Sequence, residues 1–179
     1  MVANFRHRAI VAWCAVLACA AMVVSCNVIE EELPSYAETS VVGVGDHAPQ
    51  FEIESLGGEM LRIPNSEITL LVLFSHTCPD CKALFDELQG YVESDEELPA
   101  IMAISRGGTE DEIARYRAEN NYTIAMAADP QKEVYYKYAT MYVPRCYLID
   151  GSGVILFMTY EYTAGDARLM IDKYQELLR

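Results

Sequence analysis

Phe74-Ser75-His76-Thr77-Cys78-Pro79-Asp80-Cys81-Lys82 is the stretch that decides the fold. It continues an unbroken apolar run, residues 68–74, which is typical of a strand buried on both faces. Proline suits the first position of a helix, because the N–H group that it lacks has no partner there. The stretch therefore predicts a buried strand that leads directly into a helix, with Cys78 at the helix N-cap.

The two cysteines of this stretch form a candidate redox pair. Cys81 lies three residues after Cys78 on the same helical face, within reach of a disulfide bond. The free N–H groups and positive potential of a helix N-terminus stabilise a thiolate, which is the nucleophile of thiol–disulfide exchange. We predict that Cys78 attacks a partner's disulfide and that Cys81, less exposed, resolves the mixed disulfide. The pair is its own redox group, and no separate cofactor or metal is expected.

Neighbouring residues are expected to tune this pair. Pro79 starts the helix, and Asp80 places a negative charge near the thiolate, which should make the pair more reducing. Lys82, or a protonated His76, acts in the opposite direction, and the sequence leaves the balance open.

Two other uses of the cysteine pair remain as alternatives, namely a structural disulfide and half of a zinc site. A zinc site needs two further ligands, for which Cys146, His47 and His76 are the candidates. No second paired motif accompanies them.

The rest of the pattern is that of an α/β protein. Residues 51–55 alternate and return through Gly57-Gly58 to residues 60–63, which predicts a hairpin. Thr109 and Glu112 form a capping box at the start of a later helix. Further strands are predicted at residues 100–105, 122–127, 145–150 and 154–160, and further helices at 79–91, 109–120, 131–138 and 164–178. Strands alternating with helices, then a final hairpin and helix, predict a central mixed sheet flanked by helices.

The N-terminus has the pattern of an export signal. Arg6 and Arg8 precede a 16-residue apolar run, residues 9–24, which is short for a membrane-spanning helix of about 20 residues. The run ends in Val23-Val24-Ser25-Cys26, which resembles the bacterial lipobox. We predict a lipoprotein signal peptide at residues 1–25 and lipidation of Cys26, with an uncleaved membrane anchor as the alternative.

Charge and composition narrow the function further. The formal net charge is −14, and removal of Arg6 and Arg8 with the leader makes it −16. Such a domain is repelled by nucleic acid. Residues 26–40 are acidic without apolar periodicity and predict a flexible tether, followed by one domain at residues 41–179. We therefore expect a lipid-anchored protein of the cell envelope, periplasmic or exposed at the outer membrane.

Four motifs together resemble the thioredoxin-like family of the TlpA/ResA type, within the AhpC/TSA-like superfamily. They are Val44-Gly-Asp-His-Ala-Pro-Gln-Phe51, Cys78-Pro-Asp-Cys81, the Asp129-Pro130 turn, and Val143-Pro144 with the apolar strand that follows it. The resemblance covers nearly all of residues 44–178 and implies a thioredoxin-like fold with an N-terminal hairpin extension.

The resemblance also implies roles for individual residues. Pro144 would be cis and would pack against the redox pair, while Val143 would offer backbone groups to a client peptide. His76 and Thr77, next to Cys78, would contact the client as well. The implied partners are protein thiols and disulfides of the envelope, with a membrane electron donor of the CcdA/DsbD kind.

The sequence departs from the family at the groups that handle protons. Val72 and Leu84 occupy positions where related proteins carry a carboxylate, so Cys81 would depend on water, His76 or Asp80. Cys146 is expected to be a small buried hydrophobe. Tyr142, next to the proline, is a candidate for the client groove.

These observations predict a thiol–disulfide oxidoreductase that reduces protein disulfides. One rival is a peroxiredoxin-like thiol peroxidase, for which Ser75 stands at the required position but Leu71 replaces the required proline. The other rival is a binding module without catalysis on the same fold.

Overall fold

The structure is a computed structural model that describes residues 33–179, and its compact unit spans Pro34–Arg179. The predicted signal peptide, the lipidation site Cys26 and residues 27–32 of the predicted tether lie outside the described residues. Within residues 33–179, no helix is both long enough and apolar enough to cross a bilayer.

A five-stranded mixed sheet forms the centre of this unit. In chain order, the strands of the sheet and of a separate hairpin are β1 (Phe51–Glu54), β2 (Met60–Ile63), β3 (Thr69–Phe74), β4 (Ala100–Arg106), β5 (Ala125–Asp129), β6 (Arg145–Ile149) and β7 (Ile155–Thr159). The sheet order is β5-β4-β3-β6-β7, with β3 parallel to β4 and antiparallel to β6. β1 and β2 pair separately as an antiparallel hairpin. The predicted α/β fold with a mixed sheet and an N-terminal hairpin is confirmed.

Helices and the hairpin cover the two faces of the sheet. The helices are α1 (Pro79–Val92), α2 (Glu110–Glu119), α3 (Tyr135–Tyr138) and α4 (Asp166–Leu177). Side chains of α1, α2 and α4 pack with Leu70, Val72 and Phe74 in one buried cluster. Side chains of α3 and the hairpin pack with Leu71 and Leu73 in the other. All six residues of β3 are buried because successive side chains enter opposite clusters.

Local signals located most helix ends correctly. Thr109 and Glu112 form the predicted capping box, in which each side chain accepts a hydrogen bond from the other residue's backbone N–H. Two elements begin later than predicted, β5 at Ala125 and α3 at Tyr135.

Side chains that bind backbone N–H groups account for both late starts. The backbone N–H of Thr123 donates to the Gln89 side chain instead of a strand, and the Tyr122 hydroxyl donates to Asp86 at 2.6 Å. Before α3, the buried Asp129 carboxylate accepts hydrogen bonds from three consecutive backbone N–H groups, those of residues 133–135. These bonds replace the regular pairing that the sequence pattern predicts.

The folded unit begins earlier than the predicted domain boundary at residue 41. Residues 34–40, which we call the N-terminal arm, fold against the loop that precedes β6. Thr39 is buried, its carbonyl accepts a hydrogen bond from the Thr140 N–H at 2.9 Å, and Ser40 forms a bridge with Ala139. Hydrogen bonds to distant residues therefore hold the arm, a segment whose sequence has the composition of a flexible tether.

Replacement of Gly151 by alanine tests the packing at the turn between β6 and β7. A Cβ atom there would lie 2.6 Å from the Ser66 carbonyl oxygen, so the backbone would have to shift. We expect Gly151→Ala to lower the free energy of unfolding by about 1–3 kcal/mol. Urea denaturation monitored by circular dichroism measures this change.

Gly90 provides the matched control, because it lies exposed in α1 with no atom within 4 Å of the added Cβ. Gly90→Ala should raise the free energy of unfolding by about 0.5–1 kcal/mol, since glycine disfavours a helix interior. Equal effects of the two substitutions would contradict the close approach at Gly151.

Candidate redox site

Cys78 occupies the N-cap of α1, with Pro79 at the first helical position, as predicted. Its Sγ accepts a hydrogen bond from the Cys81 backbone N–H at 3.3 Å. The same thiol donates to the Val143 carbonyl oxygen at 3.6 Å. Cys78 is half-buried, so an approaching sulfur atom can reach it while the helix N-terminus faces its Sγ.

The pairing of β3 with β6 brings the proline loop to Cys78. Leu73 pairs with Arg145, so the residues that precede Arg145 lie beside the end of β3 that leads to the cysteine. The peptide bond between Val143 and Pro144 is cis, as predicted, and Pro144 is buried. Val143 thus lies against the thiol that we assign as the nucleophile.

Cys81 has a very different environment from Cys78. It is fully buried in the cluster formed by α1, α2 and α4, and burial raises the pKa of its thiol far above the ordinary value. Burial likewise raises the pKa of Cys146 to about 12. Cys78, Cys81 and Cys146 are all free thiols in the described part of the chain.

No carboxylate compensates for the burial of Cys81 at positions 72 and 84, where proteins of the family that the sequence resembles carry one. Val72 and Leu84 are both buried in the same apolar cluster. Loss of the Cys81 proton is consequently unfavourable in the dithiol form.

His76 and Thr77 lie on the loop that joins β3 to Cys78. The His76 imidazole packs against Gly108, and its Nδ1 is buried without a hydrogen-bond partner among the described residues. Thr77 is exposed, and its hydroxyl lies 3.1 Å from that of Ser75. Of the two predicted client contacts, Thr77 is therefore the one that faces solvent, whereas His76 faces α2 and its preceding turn.

The two charged residues of the motif are arranged differently. Lys82 forms an exposed ion pair with Asp86, its Nζ lying 2.7 Å from the Asp86 Oδ2. Asp80 is exposed in the first turn of α1 and forms no ion pair within residues 33–179. Because Lys82 is neutralised locally, the uncompensated charge next to Cys78 is that of Asp80.

In the described part of the chain, no three His, Cys, Asp or Glu side chains come close enough together to hold a metal ion. The zinc alternative therefore finds no ligand set in residues 33–179.

Arg145 is a residue of this site that the sequence analysis missed. Its side chain is fully buried, and it donates to the Met141 and Tyr36 carbonyl oxygens and to the hydroxyls of Thr39 and Ser40. All of these acceptors are uncharged. The sequence did carry one signal, because an arginine inside an apolar strand requires buried acceptors.

Arg145 thereby helps to hold the N-terminal arm beside the proline loop. Tyr36 of the arm stacks on Tyr142 with the ring centroids 4.5 Å apart, and Tyr160 continues the stack 6.0 Å from Tyr36. The Tyr142 hydroxyl donates to the Pro34 carbonyl oxygen at 2.8 Å. We call Tyr36, Tyr142 and Tyr160 the tyrosine wall. Tyr142 is the member that the sequence predicts as a residue of the client groove.

Comparison with known proteins places the chain in a family. Residues 44–158, more than half of the chain, match the model of the AhpC/TSA family, and the protein belongs to that family. No curated protein matches the sequence.

Solved structures share the thioredoxin-like fold. A candidate protein disulfide isomerase from Bacteroides thetaiotaomicron is 20% identical with a TM-score of 0.68, the match covering 78% of this chain and 92% of that one. The thioredoxin domain of a thiol-disulfide oxidoreductase from Bacteroides vulgatus is 16% identical, with a TM-score of 0.63 and coverages of 77% and 99%. A peroxiredoxin-like protein from Aquifex aeolicus is 16% identical, with a TM-score of 0.64 and coverages of 76% and 88%.

The different environments of the three thiols should give them different reactivities. In the reduced, folded protein at pH 8, we expect iodoacetamide to modify Cys78 at least about tenfold faster than Cys81 or Cys146. Burial keeps the latter two protonated and inaccessible. Peptide mapping by mass spectrometry after timed quenching measures the three rates, and similar rates for Cys78 and Cys81 would contradict the assignment.

The same burial gives a pH dependence of stability. The folded pKa values of Cys81 and Cys146 are raised, so their contribution to stability is present below the unfolded value of about 8.5 and is lost as pH rises above it. We expect the free energy of unfolding to fall between pH 8 and pH 10. The Cys146→Ala variant should show a smaller fall than the parent protein when both are measured by urea denaturation.

Proposed function

We propose that this protein is an enzyme, a membrane-anchored extracytoplasmic thiol–disulfide oxidoreductase that reduces protein disulfides. The observation that carries the proposal is the position of Cys78, at the N-cap of α1 and 3.6 Å from the Val143 carbonyl oxygen beside a cis proline. Such a position combines a stabilised nucleophile with a backbone edge to which a client segment can bind.

The first step is attack on the client. The Cys78 thiolate attacks one sulfur of a client disulfide, a bond forms between that sulfur and Cys78, and the other client cysteine leaves as a thiolate. The backbone of Val143 is available to hold the client segment in an extended conformation during the attack.

The second step releases the client. Cys81 loses its proton and attacks the Cys78 sulfur, which forms the Cys78–Cys81 disulfide and frees the second client thiolate. Two electrons have then passed from the dithiol to the client. An external dithiol must reduce the pair again, and we propose a membrane electron donor of the CcdA/DsbD kind for this role.

The burial of Cys81 bears on the rate of the second step. Its thiol lies in an apolar cluster without a carboxylate at Val72 or Leu84, so proton removal must depend on water or on another polar group. We therefore propose that resolution, and not attack, limits turnover.

The proposed location is the cell envelope, with the protein attached through a lipidated Cys26. The sequence Val23-Val24-Ser25-Cys26 after an apolar run supports this proposal. More than one acyl chain on Cys26 would make the attachment stable.

A redox titration tests the proposed activity. The protein is equilibrated in thiol buffers of graded potential, and its free thiols are then alkylated and counted by mass. We expect a two-electron transition with a midpoint below about −230 mV, in the range of reductases. The transition should be absent in Cys78→Ser, while Cys146→Ser provides the matched control that retains it.

Three other results would contradict the proposal. A midpoint near about −120 mV would indicate an oxidant. No transition at all would mean that the pair is structural or non-catalytic. Rapid, Cys78-dependent consumption of hydrogen peroxide would favour the alternative function, a peroxiredoxin-like thiol peroxidase.

Metabolic labelling with radioactive palmitate tests the anchor separately. We expect the label to be incorporated into the wild-type protein and to be lost in Cys26→Ser, because the other cysteines are not predicted to be lipidated. Cys14→Ser, which lies inside the leader, is the control that should leave the label unchanged. Label that persists in Cys26→Ser would exclude lipidation at this position.

A further inference from the structure

The tyrosine wall stands directly beside the proposed nucleophile. The Cys78 thiol contacts Val143, Val143 follows Tyr142 in the chain, and the Tyr142 ring stacks on Tyr36 at 4.5 Å. Tyr36 and Tyr142 are half-buried, and Tyr160 is exposed. The rings therefore continue from the proline loop to which we propose that the client binds.

Two carboxylates lie next to the wall. Asp80 follows Cys78 by two residues, and Glu161 follows Tyr160 directly; both side chains are exposed. Neither takes part in an ion pair within residues 33–179. Burial, and after it the negative charges of Glu161 and Asp80, raises the pKa of Tyr36 above its ordinary value.

Aromatic rings and free carboxylates favour the same kind of ligand. The electron-rich face of a tyrosine ring attracts an ammonium or guanidinium group, and a neighbouring carboxylate adds a Coulomb attraction. The whole domain after the leader carries a charge of −16, so it repels acidic segments and attracts basic ones.

We infer that the tyrosine wall, with Asp80 and Glu161, binds a lysine or arginine side chain that lies close to the reacting cysteine of the client. The inference rests on the proposed function, because it describes how a client is selected by the same site. Client segments with a basic residue near the disulfide would react faster than neutral or acidic ones.

Placement of Tyr36 in this surface depends on the N-terminal arm. Three hydrogen bonds from the buried Arg145 guanidinium, to Tyr36, Thr39 and Ser40, fix the arm in the structure. The Tyr142 hydroxyl adds a fourth bond to the arm at Pro34. The client surface is consequently assembled from residues that are more than a hundred positions apart in the chain.

Four synthetic peptides test the inference. Each carries a single cysteine joined by a disulfide to thionitrobenzoate. The peptides differ only at the position two residues before the cysteine, which is lysine, norleucine, glutamine or glutamate. Norleucine retains the apolar stem of lysine without its charge. Release of the coloured thiol by the pre-reduced full-length chain in detergent gives the second-order rate constant for each peptide.

We expect the lysine peptide to react at least about fivefold faster than the glutamate peptide at low ionic strength, with norleucine and glutamine between them. The ratio should decrease in 0.5 M salt, about a 4 Å screening length, because the attraction is electrostatic. Glu161→Gln and Tyr36→Leu should each reduce the lysine-to-glutamate ratio by about half or more.

Glu119→Gln is the matched control. Glu119 is exposed at the C-terminal end of α2, whereas the site lies at the N-terminal end of α1. It should leave the ratio unchanged. A norleucine peptide as fast as the lysine peptide would show that the wall selects apolar stems, and it would overturn the inference. Equal rates for all four peptides would overturn it as well.

A small uncharged disulfide, 2-hydroxyethyl disulfide, separates these outcomes from failure of the proposed function. If the protein reduces it in a Cys78-dependent manner but does not discriminate among the peptides, the redox activity stands and the client preference is wrong. If the protein reduces neither this compound nor any peptide, both proposals are wrong.

Discussion

The antiparallel pairing of β6 with β3 is the interaction on which the site depends. β3 is the central strand, buried along its whole length, and it ends just before the loop that carries Cys78. Pairing of Leu73 with Arg145 fixes the preceding loop, with Val143 and Pro144, beside the N-terminus of α1. A shift of this register by one residue would reverse the faces of β6, so the buried pattern of the strand also fixes the site.

The buried guanidinium of Arg145 extends this constraint to the N-terminus. A buried charge without partners would be strongly destabilising, and here the partners are carbonyl and hydroxyl oxygens instead of a carboxylate. Three of these oxygens belong to the N-terminal arm, so the charge is satisfied only when the arm is in place. Folding of the arm and completion of the β6 end of the site are therefore coupled.

Local patterns in the sequence were sufficient for most of the fold. The hairpin, β3 followed by α1, and the capping box of α2 all depend on residues close together in the chain, and each was predicted within a few residues. β5 and α3 begin later than predicted because Gln89 and Asp129 bind backbone N–H groups that periodicity assigns to regular elements. The Gln89 bond joins distant segments and the Asp129 bonds are local, but neither kind leaves a periodic signal in the sequence.

The same distinction applies to the site. Motif spacing and resemblance identify Cys78, Cys81, Val143 and Pro144 as candidates, and the structure brings the loop with Val143 and Pro144 to Cys78. Tyr36 and Arg145 were missed because an acidic segment without periodicity has the composition of a linker. The residues that order it, Arg145 among them, lie about a hundred positions away in the chain. Interpretation of Arg145 as a buried charge in need of acceptors would have predicted a partner segment, but not which one.

The chemistry of Cys81 gives a physical reason for a client surface beside Cys78. The Cys81 thiol lies in an apolar cluster that disfavours its ionisation, so in the proposed reaction resolution would be slow and the mixed disulfide would live longer. During that time the client would be held covalently by one sulfur, and an external thiol could compete with Cys81 for the mixed disulfide. A wall of tyrosines and carboxylates that also binds the client's flanking side chain would keep its geometry fixed until Cys81 attacks. Slow resolution and selective binding, as proposed, would then be two parts of one arrangement, in which Cys78 carries out the exchange and the N-terminal arm helps to select the client.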